Sequence, residues 1–521
     1  MPGGGNYDYI VVGGGHNGLV CAAYLARSGR SVLVLEAAER VGGAAVTREF
    51  APGFQVSACA HLLHLMPATL MRDLALEGHG LRLAGQHLPT VALDAGGAHL
   101  TFAPAELGAL AQRSSGDAAA YAEWLALVRR LSGALHGLLS EPPPRLGTGS
   151  WRERASLLSL GWQLRRLGRR DLRELLRIGG MCVHDLLEER FSTSLLKGAL
   201  ALDAVLGSNL GPRSPGTVMS LLYRMAAAGG VEALAHPQGG LGALSNALAR
   251  AAAAAGAQIR TASPVARITV RADRASGVVL ASGEEIAAGT VVSSADPKTT
   301  LLGLLGSEHL DAGFVRRVTQ LRTRGLAAKL HLALDALPQF RGLPPQALHG
   351  RLLVAPSSDY VERAYNHAKY GEFSAAPALE ITIPTLSDPG LAPPGKHVLS
   401  VIAQYAPYAL AAGWGGERQR FTDLLIDTIA GFAPQLRDCI KAVELLTPPD
   451  IEREFRISGG HWHHAELALD QFFMVRPVPG AAQYQAPVPG LYLCGAGCHP
   501  GGGVMGIAGR NAARQVLREA A

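Results

Sequence analysis

The stretch from Tyr7 to Glu36 limits the fold more than any other. An apolar run, Tyr9-Ile10-Val11-Val12, passes directly into Gly13-Gly14-Gly15-His16-Asn17-Gly18, and a helical segment then leads to Ser31-Val32-Leu33-Val34-Leu35, which ends on Glu36. Short unbroken apolar runs are the pattern of strands buried on both faces of a parallel sheet. Between such a strand and a helix, G-x-G-x-x-G has a mechanical meaning. Gly13 permits the tight turn, Gly15 lets a pyrophosphate approach the backbone, and Gly18 lets the helix pack on the strand. The helix beginning near Asn17 offers free N–H groups and a positive dipole end to the phosphates. Glu36 lies close to the offset of about 20 residues at which a carboxylate meets ribose hydroxyls, and an acid there favours an unphosphorylated ribose. An isolated glycine pattern is ordinarily a turn that binds nothing. Here strand, helix, second strand and acid stand in register and select a dinucleotide-binding unit.

The rest of the chain must be fitted around that unit, and 521 residues are ample for a second domain. A hydrophobic fraction of 48% with 17% charged residues excludes disordered and fibrous classes. The net charge of +6 comes from scattered arginine rather than a lysine tract, which suits an anionic lipid or substrate and gives no support to nucleic acid. The six cysteines are far apart except Cys494 and Cys498, and those are not spaced C-x-x-C, so neither a disulfide scaffold nor disulfide exchange is expected. Residues 2 to 8 lead into the first strand without a basic or apolar leader, and no apolar run approaches the roughly 18 residues of a membrane span. These features predict a reduced, cytoplasmic protein.

After the opening unit, Gln55 to Met66 brings His61 and His64 toward the reactive end of the cofactor. A core histidine satisfied by the backbone is the ordinary account of either, and a catalytic part is the sharper one. From Asp73 to about Gly230 the composition turns to leucine, arginine and alanine without a parallel-strand pattern, which predicts a mostly helical insertion. Within it Leu157, Leu160, Leu164, Leu167, Leu172, Leu175 and Ile178 recur at helical intervals among arginines, as in a core helix or one resting on a membrane surface. Short β runs follow at Gln258 to Arg260, Val265 to Arg271, Gly277 to Ala281 and Glu284 to Ala287, and Thr290 to Ser294 reads as a strand returning to the dinucleotide unit. Between residues 301 and 480 the strand candidates are Ala327 to Leu334, Ala378 to Ile383 and Val398 to Gln404. The alternation at Leu379-Glu380-Ile381-Thr382-Ile383 predicts a half-exposed antiparallel strand. Near the end, Leu491-Tyr492-Leu493-Cys494 is another buried strand, and residues 495 to 506 hold six glycines before the helical Ile507 to Ala520. A helix aimed from such a turn favours negative charge near its start.

Arg40-Val41-Gly42-Gly43-Ala44 resembles the R-x-G-G extension of flavoproteins of the glutathione-reductase superfamily, which implies FAD. More widely, Gly14 to Val20, Val41 to Thr47, Asp203-Ala204-Val205, Gln238 to Ser245, Leu446 to Asp450, Leu469-Asp470-Gln471 and Leu491 to Asn511 resemble the phytoene-desaturase branch of FAD-dependent oxidoreductases. Within it they are nearest the pyridine nucleotide-disulphide oxidoreductase domain-containing protein 2 group. The implied fold is α/β: a glutathione-reductase-type Rossmann FAD-binding domain from residues 1–75, 235–300 and 481–521, with an inserted α+β substrate domain from 76–234 and 301–480. The resemblance further implies Gly13, Gly15, Asn17, Gly18, Glu36, Arg40, Gly42, Gly43 and Ala44 along the cofactor, Val265 beside the adenine, and Gly495, Gly506 and Ile507 near the flavin.

The expected chemistry is hydride transfer from a substrate C–H to flavin N5 in a dry cavity. The candidate catalytic residues are His61, His64, His464 and Arg476, with Asp470 and His499 behind them. On a strand His461 and His463 would share a face and His464 would point the other way, which makes a three-histidine metal site awkward, so no metal is expected. A second nucleotide fingerprint is absent, because Gly239-Gly240 follows His236-Pro237 rather than a strand. Oxygen, a quinone or another carrier is therefore expected to take the electrons. Three functions stay open: an oxidase or desaturase of a mainly apolar small molecule, a carotenoid desaturase or isomerase in peripheral contact with a membrane, and a flavin-stabilised interaction protein with little turnover.

Overall fold

Every side chain from Tyr9 to Val12 is buried, so the opening strand Tyr7–Val12 needs partners on both edges and cover on both faces. The computed structural model describes residues 6–103, 107–145, 151–226 and 234–520. Residues 2–5 and Gly230, at the edges of two stretches read above, lie outside them. The opening strand pairs in parallel with Val32–Leu35 on one side and Glu285–Ser293 on the other. Gln258–Arg260 extends the first edge and Leu491–Leu493 the second, also in parallel. Residues from both ends of the chain therefore share one sheet. Glu284 to Ala287 and Thr290 to Ser294, expected as two strands, are one continuous strand. Its outer half joins the antiparallel pair Val265–Arg271 and Arg274–Leu280, while its inner half pairs with Tyr7–Val12.

Helix His16–Ala26 lies between helices Leu241–Ala254 and Ile507–Glu519; glycine sets its distance to the second and the distance of the first to strand Thr47–Ala51. A Cβ on Gly509 would stand 2.0 Å from the Asn17 carbonyl oxygen, and one on Gly242 would stand 2.6 Å from the Thr47 nitrogen. No larger residue allows either approach.

A second sheet runs in the order Ile440–Leu446, Ala327–Leu334, His397–Gln404, Ala378–Thr382, Arg351–Val354, Thr90–Ala92, Leu100–Phe102. Two expectations are corrected here. The segment from Asp73 onward is mostly helical but does hold a parallel pairing: Leu83–Gly85, Thr90–Ala92 and Leu100–Phe102 are short strands within it, and Thr90–Ala92 pairs in parallel with Arg351–Val354. Three-residue strands carry too little periodicity to be read from sequence. Ala378–Thr382 is not half-exposed, because Glu380 and Thr382 are as buried as their apolar neighbours. One face of this sheet, carrying Leu330 and Val401, packs on Phe421 of helix Trp414–Ala430. Helices Ser115–Ser140, Ser194–Val205 and Thr217–Ala226 supply much of a separate apolar layer around Trp124 and Leu200.

Candidate active site

At the opening turn Gly13 has φ +95°, and a Cβ on Gly18 would stand 2.1 Å from the Gly13 carbonyl oxygen, so both positions require glycine. Gly14 N–H donates to Glu36 Oε2 at 2.6 Å and Ala38 N–H to Oε1 at 2.8 Å, which fixes the carboxylate at the end of the second strand. The second glycine run docks on the first: Gly42 N–H donates to the Gly14 carbonyl at 2.9 Å, and a Cβ on Gly43 would stand 3.6 Å from the Gly15 Cα. Helix Leu241–Ala254 holds this run in place, with Ser245 Oγ donating to the Ala45 carbonyl at 2.8 Å and Gly242 N–H donating to Thr47 Oγ1 at 2.8 Å. The residues fit a dinucleotide. Among the described residues His16 Nε2 and Asn17 Oδ1, buried beside the turn, have no partner, and the nearest atom to a Cβ on Gly15 is 3.9 Å away. Burial, reinforced by neighbouring His464, lowers the His16 pKa to about 4 and keeps that ring neutral.

Two clefts open from this turn. One is lined by Glu36, Ala38, Arg40, Gly43, Val46 and Arg48. Val265 stands two residues beyond Ser263, whose N–H donates to the Glu36 carbonyl at 2.8 Å. The other cleft is a cavity with His16 and Ala44 at one end, Gly503 and Val504 of the closing loop beside them, and walls that include Leu65, Tyr223 and Trp462. Gly495, where a Cβ would stand 2.4 Å from the Ser294 carbonyl oxygen, and Gly506, with φ +73°, shape the loop that ends at the buried Ile507.

The far end of the cavity is polar. His61, His64, Asp203, Arg224 and Glu380 all line it. His61 donates from Nε2 to Glu380 Oε1 at 2.9 Å, which leaves Nδ1 to accept from Lys329 Nζ at 3.0 Å. Lys329 also donates to Ser400 Oγ at 2.9 Å. Arg351 grips Asp203 through both terminal nitrogens, at 2.5 and 2.9 Å, and reaches Glu380 Oε2 at 3.0 Å, while Arg224 Nε lies 3.0 Å from Asp203. Two acids thus balance two arginines. Burial raises the pKa of Glu380, but the His61 bond and the two arginines overcome it and hold the carboxyl well below its usual range. A protonated Lys329 would add an unbalanced charge to this dry cluster, and burial brings its pKa down to about 7. Burial likewise lowers His61 to about 4 and His64 to about 3. Among the described residues neither ring nitrogen of His64 has a partner.

The other expected site residues take different places. Residues 461–464 do not form a strand, because Gly459 and Gly460 have φ of +66° and +64° and His464 has φ +60°. His463 lines the cavity, His461 lies 3.5 Å from Glu466, and His464 packs against Gly497 with Nδ1 buried and unpartnered. Arg476 is fully buried and donates to the carbonyls of His463, Ala465, Glu466, Gln471 and Ala496. Its guanidinium is spent on backbone and ties the 463–471 turn to the closing loop, which makes it a positioning residue. His499 Nε2 meets the Leu138 carbonyl at 2.8 Å, and Asp470 pairs with Arg322 on the surface. Burial holds the Cys494 and Cys498 thiols protonated, which opposes disulfide chemistry. The sequence leaves Lys329, Arg224 and Arg351 unmarked and puts Glu380 in the exposed half of an alternating strand. Its usable signal was a single charge inside an apolar strand, as in Ala327–Leu334 and Ala378–Thr382.

A Rossmann-type sheet assembled from both chain ends, two docked glycine runs and a cavity beginning at that turn define an FAD-dependent oxidoreductase. The chain belongs to the family described as flavin containing amine oxidoreductase, whose profile matches residues 18–517. It is 39% identical over 546 residues to the Mus musculus protein "Pyridine nucleotide-disulfide oxidoreductase domain-containing protein 2", covering 98% of this chain and 94% of that protein. It is 26% identical to a lycopene-forming phytoene desaturase of Pseudescherichia vulneris, covering 96% of each. Its fold is similar to that of cyclohexylamine oxidase from Brevibacterium oxydans, with a TM-score of 0.59 and 18% identity over 99% of this chain and 100% of that one. No helix among the described residues is long and apolar enough to cross a membrane.

Proposed function

We propose that the chain removes a hydride from a mainly apolar small molecule held in the cavity between His16 and Glu380, with oxygen, a quinone or another carrier reoxidising the cofactor. The observation that carries this reading is the make-up of the cavity: it runs from the glycine turn along Leu65, Tyr223 and Trp462 to a cluster of charged groups, where, among the described residues, neither nitrogen of His64 has a partner. Bound FAD supplies a two-electron acceptor for the hydride. The chain's own residues exclude water, through Leu65, Tyr223 and Val504, and orient the substrate. With its pKa near 3, His64 is too weak a base to carry a proton at neutral pH, so its part is to hydrogen-bond a polar group of the substrate and set the donor carbon's place. His61 is engaged by Glu380 and Lys329 and supports that end of the cavity. The proposed site of action is the cytoplasm, with peripheral contact to a membrane for a lipid-soluble substrate.

The test is flavin bleaching of the reconstituted protein without oxygen, offering a polyene, apolar amines, cyclic hydrocarbons and NADH separately. Bleaching by an apolar donor, with His64→Leu raising KM and leaving the flavin spectrum unchanged, supports the proposal. Bleaching by the polyene alone favours a carotenoid desaturase. A flavin that no donor reduces favours a flavin-stabilised interaction protein.

A further inference from the structure

We propose that helices Trp151–Arg166 and Gly168–Ile178 form a docking face for an anionic lipid bilayer. The leucines spaced through this segment face inward: Leu175 and Ile178 are buried, and Leu164 and Leu167 pack against the helical layer. A second apolar set faces out. Among the described residues seven large apolar side chains stand exposed, and four of them are here: Trp151 at 75%, Leu158 at 69%, Trp162 at 57% and Leu176 at 74%. With the exposed Ala155, positions 151, 155, 158 and 162 form one stripe along one helix, so the exposure is a surface rather than scatter. Two exposed tryptophans on one stripe suit the boundary between headgroups and acyl chains, where an amphipathic ring has both surroundings.

Charge identifies the occupant. Residues 151–178 hold eight arginines against three acids, a net +5 in a chain whose total is +6. Arg165, Arg166, Arg169, Arg170 and Arg173 make no ion pair among the described residues. The Arg166 guanidinium lies 4.0 Å from the Trp162 ring centroid, which puts a cation at the edge of the apolar stripe. Arg169, Arg170 and Arg173 also line a groove against helix Ser115–Ser140, which is open to an anionic headgroup. A second copy of this chain would bring the same positive face against this one, and like charge opposes that pairing. An anionic bilayer satisfies both the stripe and the arginines. This face extends the membrane contact of the proposed function, and its test needs no substrate, so it can fail while the redox reading stands.

The experiment sediments the FAD-loaded full chain with vesicles of phosphatidylcholine alone and of phosphatidylcholine mixed with phosphatidylglycerol. Pelleting with the mixed vesicles only, with a blue shift of tryptophan emission that high salt weakens, is expected. W151S/L158S/W162S and R165Q/R166Q/R169Q/R170Q should each weaken binding at least tenfold while circular dichroism and flavin absorbance stay unchanged. Because the two variants alter different side chains, misfolding of one leaves the other as a test. Three results overturn the proposal: wild type left in the supernatant, equal binding to both vesicle types, or a wild-type dimer that either variant dissociates while vesicle binding persists.

Discussion

Replacing Lys329 by methionine should alter the pH dependence of stability by an amount the structure sets. Lys329 is fully buried, and its pKa falls from 10.5 to about 7 on folding. The folded value lies below the unfolded one, so between those limits the unfolded chain binds more protons, and stability rises with pH across that window. One pKa unit corresponds to about 1.4 kcal/mol, so from pH 7 to pH 9 the Lys329 contribution should rise by about 2 kcal/mol. Other groups titrate there as well. The buried thiol of Cys498, whose pKa burial raises, acts in the opposite direction at the upper end. The measurement is therefore the difference between wild type and Lys329→Met in urea unfolding at pH 7 and at pH 9, in which shared contributions cancel. The gap should move in favour of the wild type by about 2 kcal/mol on going to pH 9. A gap independent of pH would refute the claim that Lys329 sits unbalanced beside a charge-neutral cluster.

Gly18→Ala places a Cβ 2.1 Å from the Gly13 carbonyl, so the turn must open and the FAD absorbance of the purified protein should fall at least tenfold; a yellow variant of normal stoichiometry would contradict this. Glu36→Ala removes the acceptor of two backbone N–H groups and the partner expected for the ribose. FAD affinity measured by fluorescence quenching should drop about 10- to 100-fold, the equivalent of one hydrogen bond to a charged group. Arg476→Met leaves five carbonyls near the cavity without their donor and should destabilise the fold by about 3 kcal/mol, read as a lower melting temperature; an unchanged melting temperature would count against its holding role.

The parts of the fold legible in the sequence are those set by neighbours along the chain. The opening turn declares itself because Gly13, Gly15, Gly18 and Glu36 act within one strand–helix–strand unit, and the closing loop does so through its glycines. The polar end of the cavity declares nothing, because His61, Asp203, Arg224, Lys329, Arg351 and Glu380 meet only after the second sheet has closed. Glu380 reads as a surface residue by alternation, since a strand with polar groups buried on one face has the same period as one facing water. The face-sharing of His461 and His463 that a strand would give does not arise, for a backbone reason. A Cβ on Gly459 would stand 2.1 Å from the Thr323 carbonyl oxygen, and one on Gly460 2.0 Å from that of Pro448, so these glycines serve close packing and turn the chain before a strand can form.

The contact of Gly509 with Asn17 couples the glycine turn to a segment remote from it along the chain. Residues 491–519 cover one flank of helix His16–Ala26 and one edge of Glu285–Ser293. Loosening that distant segment therefore bares apolar surface beside the turn itself, so damage there is felt where the dinucleotide would lie.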